Sequence, residues 1–386
     1  MLNKVRLLTP GPTPLPDSVR LAMARDMIHH RKPEFKKLIR NVQVRLQELF
    51  GTAEPVITLA ASGSGAMTAA VANLFAAGEK VISIEGGKFG ERWAHICASL
   101  GVNAVRIAVP WGEGADIAEI EKVLDQNPDV SGILVQISET STGAMHPVKE
   151  LAALAKKRGI LLVADGVSAV SISPCPMDEW EIDCLLTGSQ KGLLLPPGLA
   201  FIALSQKAWK KAESMECRDF YFNLREERDN LAKDQTNFTP AINLLYGLDE
   251  SLSILFANGL KSVFDKQWAL TCMARAGIAA MGFEPLAKTS FTWGLTSVKL
   301  PEGIASGPLL AHAAEKYGVV MAAGMGHLKD SSMRIGHMGW VDFADLSAGL
   351  YAFAAAFRHL GGHIGCRDYL EQAYEAYEQA LMEGHP

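Results

Sequence analysis

The 386-residue chain predicts an α/β fold, with a mostly parallel central sheet, helices on both faces and a smaller C-terminal α+β domain. Three observations support this. Short apolar runs alternate with helix-like segments over the first two thirds of the chain, the rhythm of βαβ units. Hydrophobic residues make up 48% and charged residues 20% of the composition, which suits a large buried interior and argues against disorder. At roughly 150 residues per domain the length calls for more than one, and the pattern changes near residue 255. The division expected is therefore 1–255, an arm and large α/β domain, and 256–386, a small α+β domain.

Residues 1–33 are rich in proline and read as an extended arm with one short helix around 18–27. Phe35, Leu38, Ile39, Val42, Leu46 and Leu49 then recur at three- and four-residue steps, the spacing of a helix with one buried face. Apolar runs at 56–61, 80–84, 132–137, 160–164, 184–186 and 199–204 read as strands, with helical segments such as 67–75 and 148–157 between them. Beyond 240, helices are predicted at 241–257, 259–281 and 342–360 and strands at 295–299 and 333–335. The polar tail, 369–381, reads as a terminal helix, docked or frayed.

Thirty-seven Lys and Arg against 42 Asp and Glu leave a net charge of −5, so no global positive field would hold nucleic acid or an anionic membrane. Cys97, Cys175, Cys184, Cys217, Cys272 and Cys366 are scattered without CxxC spacing, which argues against a metal site or a disulfide framework. The N-terminus reaches prolines before any signal-peptide core could form, and the longest uncharged run, 55–78, is broken by Ser62-Gly63-Ser64-Gly65. A cytoplasmic protein without a membrane partner is expected.

In parallel sheets, ligands collect where strands end at their carboxyl side. Four places fit that position or its chemistry. The run 56–61 stops at Ser62-Gly63-Ser64-Gly65-Ala66 and enters a helix, an end suited to an anion or to a plain tight turn. It matches neither GxGxxG nor GxxxxGK[ST]. Asp165 ends the run 160–164, either as a cap or as a buried carboxylate seeking a partner. Lys191 follows Thr187-Gly188-Ser189-Gln190 and precedes a long apolar stretch, where desolvation would favour a neutral, nucleophilic amine and the alternative is a snorkelling structural lysine. Arg334 sits in the apolar run 333–335, as a carboxylate clamp or one half of an internal salt bridge. An anion cradle, a carboxylate, a lysine and an arginine are together what pyridoxal 5′-phosphate and an amino-acid substrate require.

Leu8-Thr9-Pro10-Gly11-Pro12, Ser62-Gly63-Ser64-Gly65, Phe89-Gly90-Glu91-Arg92, Glu139-Thr140-Ser141-Thr142-Gly143, Asp165-Gly166-Val167 and Gly188-Ser189-Gln190-Lys191 together resemble class V aminotransferases of fold type I. The likeness is strongest to alanine–glyoxylate and serine–pyruvate aminotransferases and runs, in order, from the N-terminal TPGP to Arg334-Ile335-Gly336. The resemblance implies a Schiff base on Lys191, which would also shuttle the substrate's proton, and Asp165 paired with the pyridine nitrogen. It implies Val167 and Phe89 on the two ring faces and Thr140 near the ring oxygen. The phosphate would meet the amides of Gly65 and Ala66, the Ser64 hydroxyl and Gln190, with Thr239 arriving from the second subunit of a homodimer. Arg334 would take the substrate carboxylate and Gly11 would line the entrance.

The implied reaction moves an amino group from serine or alanine to glyoxylate or pyruvate. Two positions depart from some alanine–glyoxylate enzymes, which have histidine at Ala66 and tyrosine at Thr236, and both border the cofactor or substrate. A 2-aminoethylphosphonate or ureidoglycine aminotransferase, a lyase of the same fold and a non-catalytic dimeric scaffold remain open. Desulfurase-like chains carry a cysteine shortly before the arginine, and residues 321–333 contain none.

Overall fold

The computed structural model describes residues 4–386. Seven strands form its main sheet: β1 (Val56–Leu59), β2 (Lys80–Glu85), β3 (Asn103–Ala108), β4 (Val130–Gln136), β5 (Leu161–Asp165), β6 (Cys184–Gly188) and β7 (Ala200–Leu204). Their order is β1-β7-β6-β5-β4-β2-β3. Only β7 opposes its neighbours, β1 and β6, and the remaining pairings are parallel. The sheet is thus mostly parallel, as expected.

Alternation along each strand divides its side chains between two cores, because successive residues point to opposite faces. On β5, Leu162 and Ala164 join one core while Leu161 and Val163 join the other. The helix Pro33–Phe50 covers the first face with its predicted apolar stripe, starts on a proline and stops at Gly51, whose φ of 60° ends the helix. The helix Gly63–Leu74 covers the opposite face through Met67, Ala70, Val71 and Leu74. β3 was missed by the sequence reading because it is an edge strand of mixed polarity, with only Ile107 fully buried.

A second sheet is antiparallel throughout and contains β8 (Leu295–Lys299), β9 (Ala322–Ala323) and β10 (Ser332–Gly336), in the order β8-β10-β9. Its core includes Leu270, Met333, Ile335, Phe353 and, from the other end of the chain, Leu8. Arg6–Leu7 pairs in parallel with Val319–Val320, and the amide of Gly336 donates to the carbonyl of Leu8 at 2.7 Å. The arm therefore begins on the C-terminal core and crosses toward the main sheet. The tail forms the helix Tyr369–Glu383, docked through Tyr369, Ala373 and Ala380. All six cysteines are free, and among the described residues no helix is long and apolar enough to cross a membrane.

Candidate active site

β4, β5 and β6 end side by side, with Gln136 opposite Asp165 and Asp165 opposite Leu186 in register. The chain beyond these ends forms a cavity of about 330 Å³. Gly11, Ser64, Phe89, Thr140, Asp165, Val167, Gln190 and Lys191, all expected on sequence grounds, line it together. The arm forms one wall: the Thr13 amide donates to the Gln190 carbonyl at 3.2 Å, and its hydroxyl to the Lys191 carbonyl at 3.0 Å. Gly11 makes this approach possible. Its φ is 141°, and a Cβ there would meet Lys191 Nζ at 2.5 Å.

Lys191 is 9% exposed, and its Nζ donates to the Pro10 carbonyl oxygen. Burial, then the positive charge of Arg334, pulls its pKa down to about 8, against the attraction of Asp165. Asp165 accepts from the Val167 amide at 2.8 Å. Burial pushes its pKa up to about 6, the Val167 amide opposes the shift, and the carboxylate of Glu139 adds to it. A cationic N–H facing Asp165 would restore its ionised form. Glu139 is fully buried and accepts from the amides of Gly90 and Ser141 at 2.9 and 3.1 Å, so it ties the Phe89 segment to the end of β4.

Thr140 Oγ1 lies 2.7 Å from Ser168 Oγ. Arg334 reaches the site from β10, donating from Nε to the Ala323 carbonyl and from Nη1 to the Thr140 carbonyl, both at 3.0 Å. It lies behind Thr140 rather than on the cavity wall. Among the described residues no carboxylate lies within 4 Å of Arg334, so the internal salt-bridge alternative is not what holds it.

Gly65 and Ala66 depart from the expectation. Both amides donate to the Ser62 carbonyl, at 2.8 and 3.2 Å, because they open the ladder of the helix Gly63–Leu74. Ala66 is fully buried, and the cavity wall carries Ser62, Gly63 and Ser64 instead. The amides of Gly63 and Ser64, the first two helical positions, have no helical carbonyl to reach. A Cβ on Gly63 would meet Val167 Cγ2 at 2.7 Å. Thr239 is exposed and lies in a separate cleft with Thr58 and Thr236, away from the cavity of its own chain.

Sequence reasoning also passed over Arg92 and Ser168, both on the cavity wall. Arg92 stands three residues after Phe89, the spacing that puts two side chains on one helical face. Ser168 directly follows Asp165-Gly166-Val167.

The family model for class-V aminotransferases matches residues 17–339. The chain belongs to this family. A serine–glyoxylate aminotransferase of Methylorubrum extorquens is 34% identical over 354 residues, 88% of this chain and 87% of that one. A solved structure titled as an aspartate aminotransferase of subgroup IV, from Thermus thermophilus, is 30% identical with a TM-score of 0.86, covering 92% of this chain and 99% of that one. A Synechococcus protein named as the small subunit of a soluble hydrogenase is 34% identical over 365 residues, 94% of this chain and 95% of that one. Among the described residues no group of three or more His, Cys, Asp or Glu side chains could hold a metal ion.

Membership makes this aminotransferase a pyridoxal 5′-phosphate enzyme, and its cavity fits the group. The side-chain oxygen of Gln190 is buried there without a partner. A desolvated amine, a carboxylate, an aromatic ring and helix-start amides meet in one space, which is the donor set that an aldehyde, a ring nitrogen, a ring face and a phosphate each require.

Proposed function

We propose that the protein transfers an amino group from a small donor, serine or alanine, to glyoxylate or pyruvate. The observation behind this is a buried Lys191 amine beside Asp165, in a cavity backed by Arg334, a guanidinium without a carboxylate partner. Pyridoxal 5′-phosphate, when bound, supplies an aldehyde and an electron-accepting ring that acidify the donor's Cα–H. Lys191 Nζ would join that aldehyde, Asp165 would face the ring nitrogen, Phe89 and Val167 would enclose the ring, and Thr140 would stand by its oxygen. Gly63, Ser64 and Gln190 would take the phosphate.

An amine with a pKa near 8 has a far larger neutral fraction at physiological pH than an ordinary lysine, and in that neutral form Lys191 Nζ can take a proton at the donor's Cα and return it later. Arg334 would hold the donor's α-carboxylate. The arm from Pro10 to Thr13 keeps water from the amine by covering it. The exposed Thr239 is available to a second copy, and we propose a two-fold homodimer in which it completes the partner's phosphate site. Free thiols support a cytoplasmic setting. The unit division at 255/256 is proposed on the separate cores, with the arm bridging them.

A second reading, an aspartate donor, is favoured by one observation: Arg92 places a guanidinium on the cavity wall, in addition to Arg334 behind it. Half-reaction spectra with a panel of amino acids decide between them. Bleaching of the coenzyme band by serine or alanine supports the first reading, and bleaching by aspartate alone supports the second. A chain that stays colourless with added coenzyme contradicts both.

A further inference from the structure

A phosphate monoester carries between one and two negative charges at neutral pH. The groups assigned to it so far, the amides of Gly63 and Ser64, the Ser64 hydroxyl and the Gln190 carboxamide, are all neutral. Removing such an anion from water with neutral partners alone is unfavourable, and buried charges in proteins are paired. Three charged side chains line the cavity: Arg92, Asp165 and Lys191. Asp165 has the wrong sign, and Lys191 is engaged with Pro10 and assigned to the aldehyde. Arg92 is left.

Its geometry agrees. Arg92 lies on the helix Gly90–Ser99, with its guanidinium carbon 5.0 Å from the Phe89 ring centroid. Its Nη1 donates to Ser64 Oγ at 3.0 Å. Among the described residues no carboxylate lies within 4 Å of it, since its neighbour Glu91 is taken by Lys88 at 2.6 Å. A serine hydroxyl that accepts from a guanidinium still has its own hydrogen to donate. The Ser64 hydroxyl therefore stays free to donate to an anion while the guanidinium stands beside it.

We propose that Arg92 supplies the positive charge that holds the coenzyme's phosphate, acting at the same corner as Ser64. This rests on the coenzyme reading above and extends it, because it also leaves no spare cation in the cavity for the side-chain carboxylate of a dicarboxylic donor. The guanidinium stacked on Phe89 couples the phosphate end to the ring end of the site.

The test is equilibrium binding of two probes to the coenzyme-free full chain, pyridoxal 5′-phosphate and pyridoxal, which lacks the phosphate. Arg92→Gln is expected to weaken pyridoxal 5′-phosphate binding roughly 10- to 100-fold, the range for a hydrogen bond to a charged group. Pyridoxal binding should stay within about 3-fold of the unsubstituted chain, and Arg92→Lys should recover much of the loss. In the unsubstituted chain, inorganic phosphate should compete with pyridoxal 5′-phosphate more strongly than it does in Arg92→Gln. Equal losses for both probes, or no loss for either, would overturn the proposal while leaving the coenzyme reading intact. Failure of the unsubstituted chain to bind either probe would instead overturn the coenzyme reading, and this proposal with it.

Discussion

Arg334 Nη1 donates to the carbonyl oxygen of Thr140 at 3.0 Å, joining the second sheet to the end of the first. The arginine is on β10, and Thr140 lies four residues past the end of β4. The Arg334 guanidinium is therefore positioned by both sheets at once. Burial lowers the pKa of Arg334, and the negative field of Glu139 opposes that shift. Arg334→Ala should cut kcat/KM for the amino donor by about 2–5 kcal/mol of transition-state stabilisation, while the coenzyme spectrum is retained. Stopped-flow half-reactions measure this. An unchanged specificity constant would assign Arg334 to structure alone.

Lys191→Ala should abolish turnover and remove the covalent adduct that borohydride otherwise traps on this residue. Mass spectrometry of the tryptic peptide reads the adduct. With the native residue, trapping after brief mixing should rise with pH around a midpoint near 8, because the neutral amine reacts and burial has lowered its pKa from 10.5 to about 8. A midpoint near 10 would place the amine in water.

Gly11→Ala should damage both stability and coenzyme uptake. The added Cβ has neither an allowed conformation at φ 141° nor space beside the lysine. A left-handed or otherwise sparse conformation costs on the order of 1–3 kcal/mol, which would lower the thermal midpoint by several degrees. Thermal melts with and without coenzyme separate the two effects.

Acid should destabilise the fold through two buried histidines. Burial lowers His146 to about 4 and His337 to about 3, below the ordinary 6.5. As pH falls below 6.5 the unfolded chain takes up protons that the folded chain refuses, so stability is lost from about 6.5 down toward 4 and below. Each unit of separation is worth about 1.4 kcal/mol per group. Urea midpoints at pH 7, 5.5 and 4.5 should fall in that order. His337→Asn should shrink the fall, although it weakens the contact with Thr296 Oγ1 at 3.0 Å.

Much of this site was legible in the residues. Asp165, Gln190 and Lys191 stand at the carboxyl ends of apolar runs, where parallel sheets place their ligands. The helix Pro33–Phe50 was readable because a single buried face imposes a 3.6-residue period. β3 was not readable, since an edge strand buries few residues and so shows little periodicity. That the Ser62 carbonyl takes the amides of Gly65 and Ala66 was not readable either, since only the observed helix start shows it.

Local pattern alone was enough to mark most of the strands, the order of the motifs and the half-apolar setting of Lys191 beyond a strand end, because burial and strand ends leave a trace in neighbouring residues. Contacts between distant segments leave none. That Pro10 meets Lys191, that Arg92 meets Ser64 and that Leu8 belongs to the C-terminal core followed only from the folded chain. Closure brings such pairs together through the packing of the whole molecule, and neither partner's immediate sequence encodes the other's position.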